Sequence, residues 1–206
     1  MPRPRFQKLS PEKRRTILDA AGREFAAHGY EQASLNSIIA EAGVSKGAFY
    51  YYFDDKADLF ATVVEQLDAE FNWRAALDVA GLTGEAFWGR LEELTLRTFA
   101  DARERPWLMD VGKAFYGIPP EVRAGGRIAE LFASIEAATL GFIRHGQQIG
   151  AVRDDLPASL LLSVFFALDQ AYAAWMSDHL PSMSDDERTA FIEAAFDLVR
   201  RVAAPG

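Results

Sequence analysis

Serine, lysine and tyrosine side chains gather in one short stretch, residues 34–56, in an order suited to gripping a polyanion rather than to breaking a bond. Ser45, Lys46, Gly47 and Ala48 follow one another, Tyr50 and Tyr51 come next, and Lys56 closes the stretch. Hydroxyl and ammonium groups meet phosphates, an aromatic edge meets a thymine methyl, and small residues let a backbone approach a duplex. Lys56 falls in the first turn of a helix, where a cation opposes the macrodipole. Nothing close in sequence favours it strongly, so an external anion such as a phosphate is the expected reason for it, the alternative being a surface pair with Asp54 or Asp58.

No competing set of reactive groups emerges. His28, His145 and His179 are scattered, without paired metal-ligand spacing, and Glu92-Glu93 and Asp185-Asp186-Glu187 suit a solvated helix face and a helix start. There is no Gly-rich phosphate loop, and cysteine is absent, which removes disulfides, thiol catalysis and thiolate metal sites. Neither an enzyme nor a bound metal or cofactor is expected. A cysteine-free chain without a signal-like apolar segment fits a cytoplasmic address. No membrane is expected either, since the longest apolar stretch, residues 160–175, is broken by Ser163, Asp169 and Gln170.

Net charge is −8, which at first argues against nucleic acid, but its distribution is uneven. Residues 1–60 carry nine Lys/Arg against eight Asp/Glu, whereas residues 61–206 carry thirteen against twenty-two. Arg3, Arg5, Lys8, Lys13, Arg14, Arg15 and Arg23 face only Glu12 and Asp19 at the N-terminal end. Phosphate binding needs a local positive patch, not a basic protein. The acidic remainder leaves the first 60 residues as the docking surface.

The elements that must position these groups are helices. Apolar residues recur at three- and four-residue spacing, with no sustained alternation, so the fold class is all-α. Ser10 caps and Pro11 opens a first helix with Ile17, Ala21 and Phe25 on one face, and Gly29 stops it. Ser34 caps a second, with Leu35, Ile38 and Ile39 inward, and Gly43 ends it in a left-handed position. Ser45 restarts the chain at once as a third helix with Phe49 and Phe53 on the core side and Tyr52 beside them. This is the punctuation of a helix-turn-helix, whose second helix enters the major groove with its N-terminal residues at base edges. Asp54 and Asp55 cap a long fourth helix, and five more segments follow, opened by Thr83, Pro106, a position after Pro120, Pro157 and Ser184. About nine helices result: a three-helix head and a six-helix body. The expected division is a flexible basic arm over 1–9, a DNA-binding domain over 10–56, and a ligand-binding and dimerisation domain over 57–206.

With these residues placed, the run from Ser34 through Gly43-Val44-Ser45-Lys46-Gly47-Ala48-Phe49-Tyr50-Tyr51-Tyr52-Phe53 to Lys56 resembles the signature of the TetR family of bacterial regulators. The resemblance covers roughly residues 10–60, including Phe25 and Gly29-Tyr30. It implies DNA contacts from Ser34, Ser45, Lys46, Gly47, Ala48, Tyr50, Tyr51 and Lys56, a homodimer on operator duplex DNA, and often repression relieved by a small molecule. Two positions depart from the family pattern. Ala48 stands where threonine is frequent, and Ser37 where an acidic residue would complete the capping box begun by Ser34.

Two broad apolar helices at the C-terminal end suggest the dimer seam. Leu161 and Phe165 on one, and Phe191, Ala195, Leu198 and Val202 on the other, would pack against their copies as a four-helix bundle. An apolar effector pocket is expected from Trp107, Phe115, Phe132, Phe166 and Trp175, with Asp169 as an isolated carboxylate that must find a partner. The alternative is a DNA-binding adaptor of the same fold with no inducer.

Overall fold

A computed structural model describes residues 4–71, 81–105 and 107–205. Arg3 of the basic arm and Pro106, expected to open a helix, lie outside them. Among the described residues there are eleven α-helices and no strand: α1 (Pro4–Gln7), α2 (Pro11–Gln32), α3 (Leu35–Glu41), α4 (Lys46–Tyr52), α5 (Lys56–Phe71), α6 (Gly84–Glu104), α7 (Trp107–Tyr116), α8 (Pro120–Arg123), α9 (Gly126–Gln148), α10 (Ala158–His179) and α11 (Asp185–Ala203). A 3₁₀ turn, Leu180–Ser182, follows α10. The all-α class is as expected; the two additional helices, α1 and α8, are single turns of four residues each.

The chain packs as two units, Met1–Leu67 with Arg105–Ala133, and Asp68–Glu104 with Ser134–Gly206. In the first, Ser10 caps α2 by accepting from the Lys13 N–H at 3.3 Å, with Pro11 at the first helical position. Gly29 interrupts the helix at φ 70°, where an L side chain would be strained, and the chain resumes one more turn to Gln32. Ile17, Leu18, Ala21 and Phe25 form the buried stripe of α2. Phe25 and Tyr30 both meet Phe60 of α5 edge-on, at 4.8 and 5.5 Å between centroids.

Segment 105–133 belongs to this unit because α7 lies directly on α2. The Trp107 ring fills the space that a side chain at Gly22 would occupy. Phe115 stacks on Phe132 at 4.2 Å. The reading domain expected over 10–56 is therefore part of a larger packed unit. Residues 4–7 of the expected arm form a helical turn that is tied down: Phe6 is buried, its ring 4.8 Å from Phe53.

In the second unit Phe87, Trp88, Phe142, Val152, Leu161 and Phe196 make the core. Phe87 stacks on Phe142 at 4.2 Å, and the buried Trp88 indole donates to the Ala151 carbonyl at 2.9 Å. Ser184 and Glu187 form a reciprocal capping box at the start of α11. The Ser184 N–H and hydroxyl both donate to the Glu187 carboxylate, which holds its pKa below the ordinary glutamate value.

Helix α10 departs from the sequence reading. Ala158–Ser182 is long and apolar enough to cross a membrane by length and composition, with an 18-residue window of mean hydropathy 1.3. Ser163, Asp169 and Gln170 do not lower the average enough to prevent this. Only 17% of that window is buried within the chain: Leu160 and Trp175 are exposed, and Val164, Phe166 and Leu168 are half-buried.

Candidate nucleic-acid interface

Helices α3 and α4 are joined by four residues, 42–45, and each junction is satisfied locally. Gly43 adopts φ 64°; the Val44 N–H donates back to the Ile39 carbonyl at 3.3 Å, and the Ala42 N–H to that of Ile38 at 2.9 Å. Ser45 leaves in an extended conformation and accepts from the Ala48 N–H at 3.1 Å, so only Gly43 and Val44 separate the cap of α3 from that of α4. Ser34 caps α3, accepting from the Ser37 N–H at 3.3 Å.

The acidic residue missing at Ser37 is replaced from elsewhere. Glu24 of α2 accepts from the Ser34 N–H at 2.8 Å, the bond that a glutamate at position 37 would make. The capping box is completed across ten residues rather than three, which also ties α3 to α2. A second tie is the Arg23–Glu41 ion pair at 2.6 Å. Neither was visible in the sequence, since both depend on how α2 crosses α3.

The sorting of α4 follows helical geometry. Phe49 and Phe53 are fully buried, with ring centroids 5.3 Å apart, and Ile38 of α3 is fully buried too. Lys46, Gly47, Tyr50 and Tyr51 are exposed, with Tyr50 and Tyr51 at 42% and 44%; Ala48 and Tyr52 are half-buried. A polar, basic surface thus stands on a rigid aromatic core. Ser45 is exposed and, with its oxygen accepting, keeps its O–H available as a donor. Ser34 is half-buried.

Lys56 corrects the sequence reading. Its ammonium donates to the carbonyls of Glu31 at 2.7 Å and Ala33 at 3.4 Å and lies 5.2 Å from the Tyr30 ring. A helix end supplies orphan carbonyls and partial negative charge, so the C-terminus of α2 alone accounts for a cation here. Next to it Asp55 caps α5 by accepting from the Asp58 N–H at 2.8 Å, and Asp58 accepts from the Asp54 N–H at 3.3 Å. Burial raises the pKa of the Asp58 carboxyl, against the Asp54 bond and the charge of Arg127, whose Nε lies 3.8 Å away. Arg127 also pairs with Glu65 on α5 and, at 3.4 Å, with Glu130.

The remaining expected residues fall in both units. Trp107, Phe115 and Phe132 pack in the first unit, Phe115 being buried. Phe166 is half-buried on α10, whereas Asp169 and Trp175 of the same helix are exposed. Asp169 therefore lacks the buried setting on which its expected role rested. Trp175 stacks instead on His179 at 4.3 Å and Phe191 at 4.5 Å. Of the expected seam, Leu161 is only 1% exposed and sits in the core of the second unit, with Phe165 packed against that core. Both point to the chain's own interior, one helical phase away from the uncovered side. Phe191, Ala195 and Val202 are half-buried, and Leu198 is 47% exposed, as is Leu160.

A short helix restarted at once after a left-handed glycine, with its buried face aromatic and its outer face basic, defines a helix-turn-helix DNA-binding domain. Residues 17–63 match the sequence profile of bacterial regulatory proteins of the tetR family. The chain is 31% identical over 192 residues to the HTH-type transcriptional repressor Rv1474c of Mycobacterium tuberculosis, covering 91% of this chain and 90% of that one. It belongs to the TetR family, and is a DNA-binding transcriptional regulator rather than an enzyme. Among solved structures, FadR of Bacillus halodurans matches with a TM-score of 0.71 at 21% identity, over 94% of this chain and 96% of that one. FadR of Bacillus subtilis, determined in complex with stearoyl-CoA, matches at 0.69 and 21% identity over 89% and 96%. At that identity the likeness is one of fold.

Proposed function

We propose that the chain is a homodimeric repressor that reads operator duplex DNA through Ser34, Ser45, Lys46, Gly47, Ala48, Tyr50, Tyr51 and Lys56, and is released by a small, largely apolar effector. The observation that carries the DNA contacts is the split of α4, with Phe49 and Phe53 fully buried and Lys46, Gly47, Tyr50 and Tyr51 exposed. Lys46, at the start of α4, and Tyr50, one turn further along, reach base edges, and Ser34 and Lys56 meet flanking phosphates. Lys56 does so with a donor beyond the two bonded to carbonyls, since an ammonium has three. Replacing Lys46 or Tyr50 with Ala should weaken binding to a duplex selected from a random library by at least tenfold, since a good base contact contributes about 1–3 kcal/mol. Unchanged affinity in both folded variants would refute the assignment.

The dimer proposal rests on uncovered apolar surface. Leu160, Trp175 and Leu198 are 47, 37 and 47% exposed on α10 and α11, and a second copy of the same two helices is the partner that would cover them. The phase is that of Leu160 and Leu198, with Phe191, Ala195 and Val202 at its margin. This covering also explains why a helix as apolar as α10 need not enter a membrane. The body of the dimer is taken as residues 57–206, with the reading domain over 10–56, in the cytoplasm where the DNA is.

Release by an effector is supported by the repressors and the acyl-CoA-bound regulator that this chain resembles. Stearoyl-CoA is the first probe: it should weaken operator binding, and the operator should weaken stearoyl-CoA binding by the same factor. The exposed Asp169 favours the second reading, an adaptor of the same fold without an inducer. Binding of acyl-CoA with identical affinity in the presence and absence of operator would support that reading.

A further inference from the structure

We infer that Arg5 is a DNA-phosphate contact, held ready by Tyr51 and anchored by Phe6, so that the single turn α1 is a working part of the reading surface. This deepens the DNA-binding role of α4 and rests on it. The Arg5 guanidinium lies 3.8 Å from the centroid of the Tyr51 ring, and Tyr51 is itself 44% exposed on α4. A planar guanidinium on a ring face is weakly hydrated and keeps its N–H edges free to bond an anion in its plane.

Three contacts fix the turn beneath it. Phe6 is 2% exposed, 4.8 Å from Phe53 and 6.1 Å from Tyr52. The Lys8 and Leu9 N–H groups donate back to the Arg5 and Phe6 carbonyls at 3.2 and 3.1 Å. Gln7 accepts from Arg14 of α2 at 2.9 Å. An arm that swings freely must lose its backbone freedom on binding, whereas this one has already lost it on folding.

Arg5 shares with Lys8, Lys13, Arg14 and Lys46 the lack of a carboxylate partner among the described residues, and its stacking on the Tyr51 ring sets it apart from them. Other cations of the unit are engaged: Arg15 pairs with Asp19, Arg23 with Glu41, and Lys56 with two carbonyls. The Arg5 side chain is exposed. A cation left without a carboxylate, seated at the C-terminal end of the recognition helix, faces the backbone that flanks the groove rather than the bases read by the helix start.

The test uses the full-length protein, a random-sequence duplex, and a duplex selected from a random library. Arg5→Ala should lower affinity for both duplexes by a similar factor, roughly tenfold for one charge-assisted contact, and reduce the salt slope by about one. Arg5→Lys should recover only part of the loss, because an ammonium keeps the charge without the planar stacking. Tyr51→Leu should remove most of the effect of Arg5→Ala in a double-mutant cycle. Lys46→Ala serves as the control. If it weakens binding while Arg5→Ala leaves both affinity and salt slope unchanged, the role of Arg5 is overturned and the reading of α4 stands. If neither variant changes binding, both fall. A loss confined to a single base pair overturns the phosphate role.

Discussion

Replacing Gly22 with alanine should loosen the seating of α7 on α2. An added Cβ would stand 2.2, 2.6 and 2.8 Å from three carbons of the Trp107 six-membered ring, all well inside contact distance. The ring has to pivot or the helices part, and overpacking of this kind costs about 1–3 kcal/mol. Alanine recovers up to about 1 kcal/mol of helix propensity, so against the upper end of that cost the net loss is about 2 kcal/mol. For a chain of this size that corresponds to a fall in Tm of up to about 8 °C. Calorimetry at fixed protein concentration reads it, because dimerisation makes Tm depend on concentration. Gly89→Ala is the matched control: nothing lies within 4 Å of its added Cβ, so Tm should rise by about 2–4 °C. Trp107→Leu, too short to reach α2 with those ring carbons, should restore much of the Gly22→Ala loss. A Gly22→Ala protein as stable as the Gly89→Ala protein would show that Trp107 is not seated there.

Leu198→Glu should give a folded monomer, whereas Leu161→Glu should give unfolded or insoluble protein, because Leu198 is 47% exposed and Leu161 is 1%; a dimer of Leu198→Glu by sedimentation would contradict the seam. Lys56→Met should lose about 1 kcal/mol of stability, since two helix-end carbonyls lose their donor; denaturation at wild-type strength would remove that role. Asp58 has a pKa raised by burial, so its ionisation opposes folding: that penalty is absent below the unfolded value of 3.8 and complete above the raised folded value. The stability of Asp58→Asn relative to wild type should therefore climb as pH rises from 3.8, and a fall over that range in urea titrations would reverse the sign.

What the sequence disclosed depends on the distance over which each interaction is decided. Gly43, Ser45 and the buried Phe49–Phe53 pair are local, set within one or two turns, and the reading head was legible from them. The reason for a cation at Lys56 was hidden, because its carbonyl acceptors lie 25 and 23 residues upstream. Glu24 completing the cap of Ser34, and Phe6 docking on Phe53, required knowing which helix crosses which. Helix α10 was hardest. Apolar on nearly every side, it has no phase in its sequence to distinguish the core-facing Leu161 from the uncovered Leu160 beside it. Asp169 was misjudged for the same reason, placed in an interior by its neighbours when it stands at the exposed side. The packing of segment 105–133 with the head was equally hidden, since the signal is the absence of a side chain at Gly22.

The central claim is that two copies of residues 34–56 read one duplex together. Hydroxyl-radical footprinting of the full-length protein on a library-selected duplex tests it most directly. Two protected segments should appear, one helical turn or a small multiple apart, at about 34–36 Å per turn, related by a two-fold axis. Both should vanish together when Lys46 and Tyr50 are replaced by alanine in protein that still sediments as a dimer. A single protected segment, or an unchanged footprint with the doubly substituted protein, would contradict it.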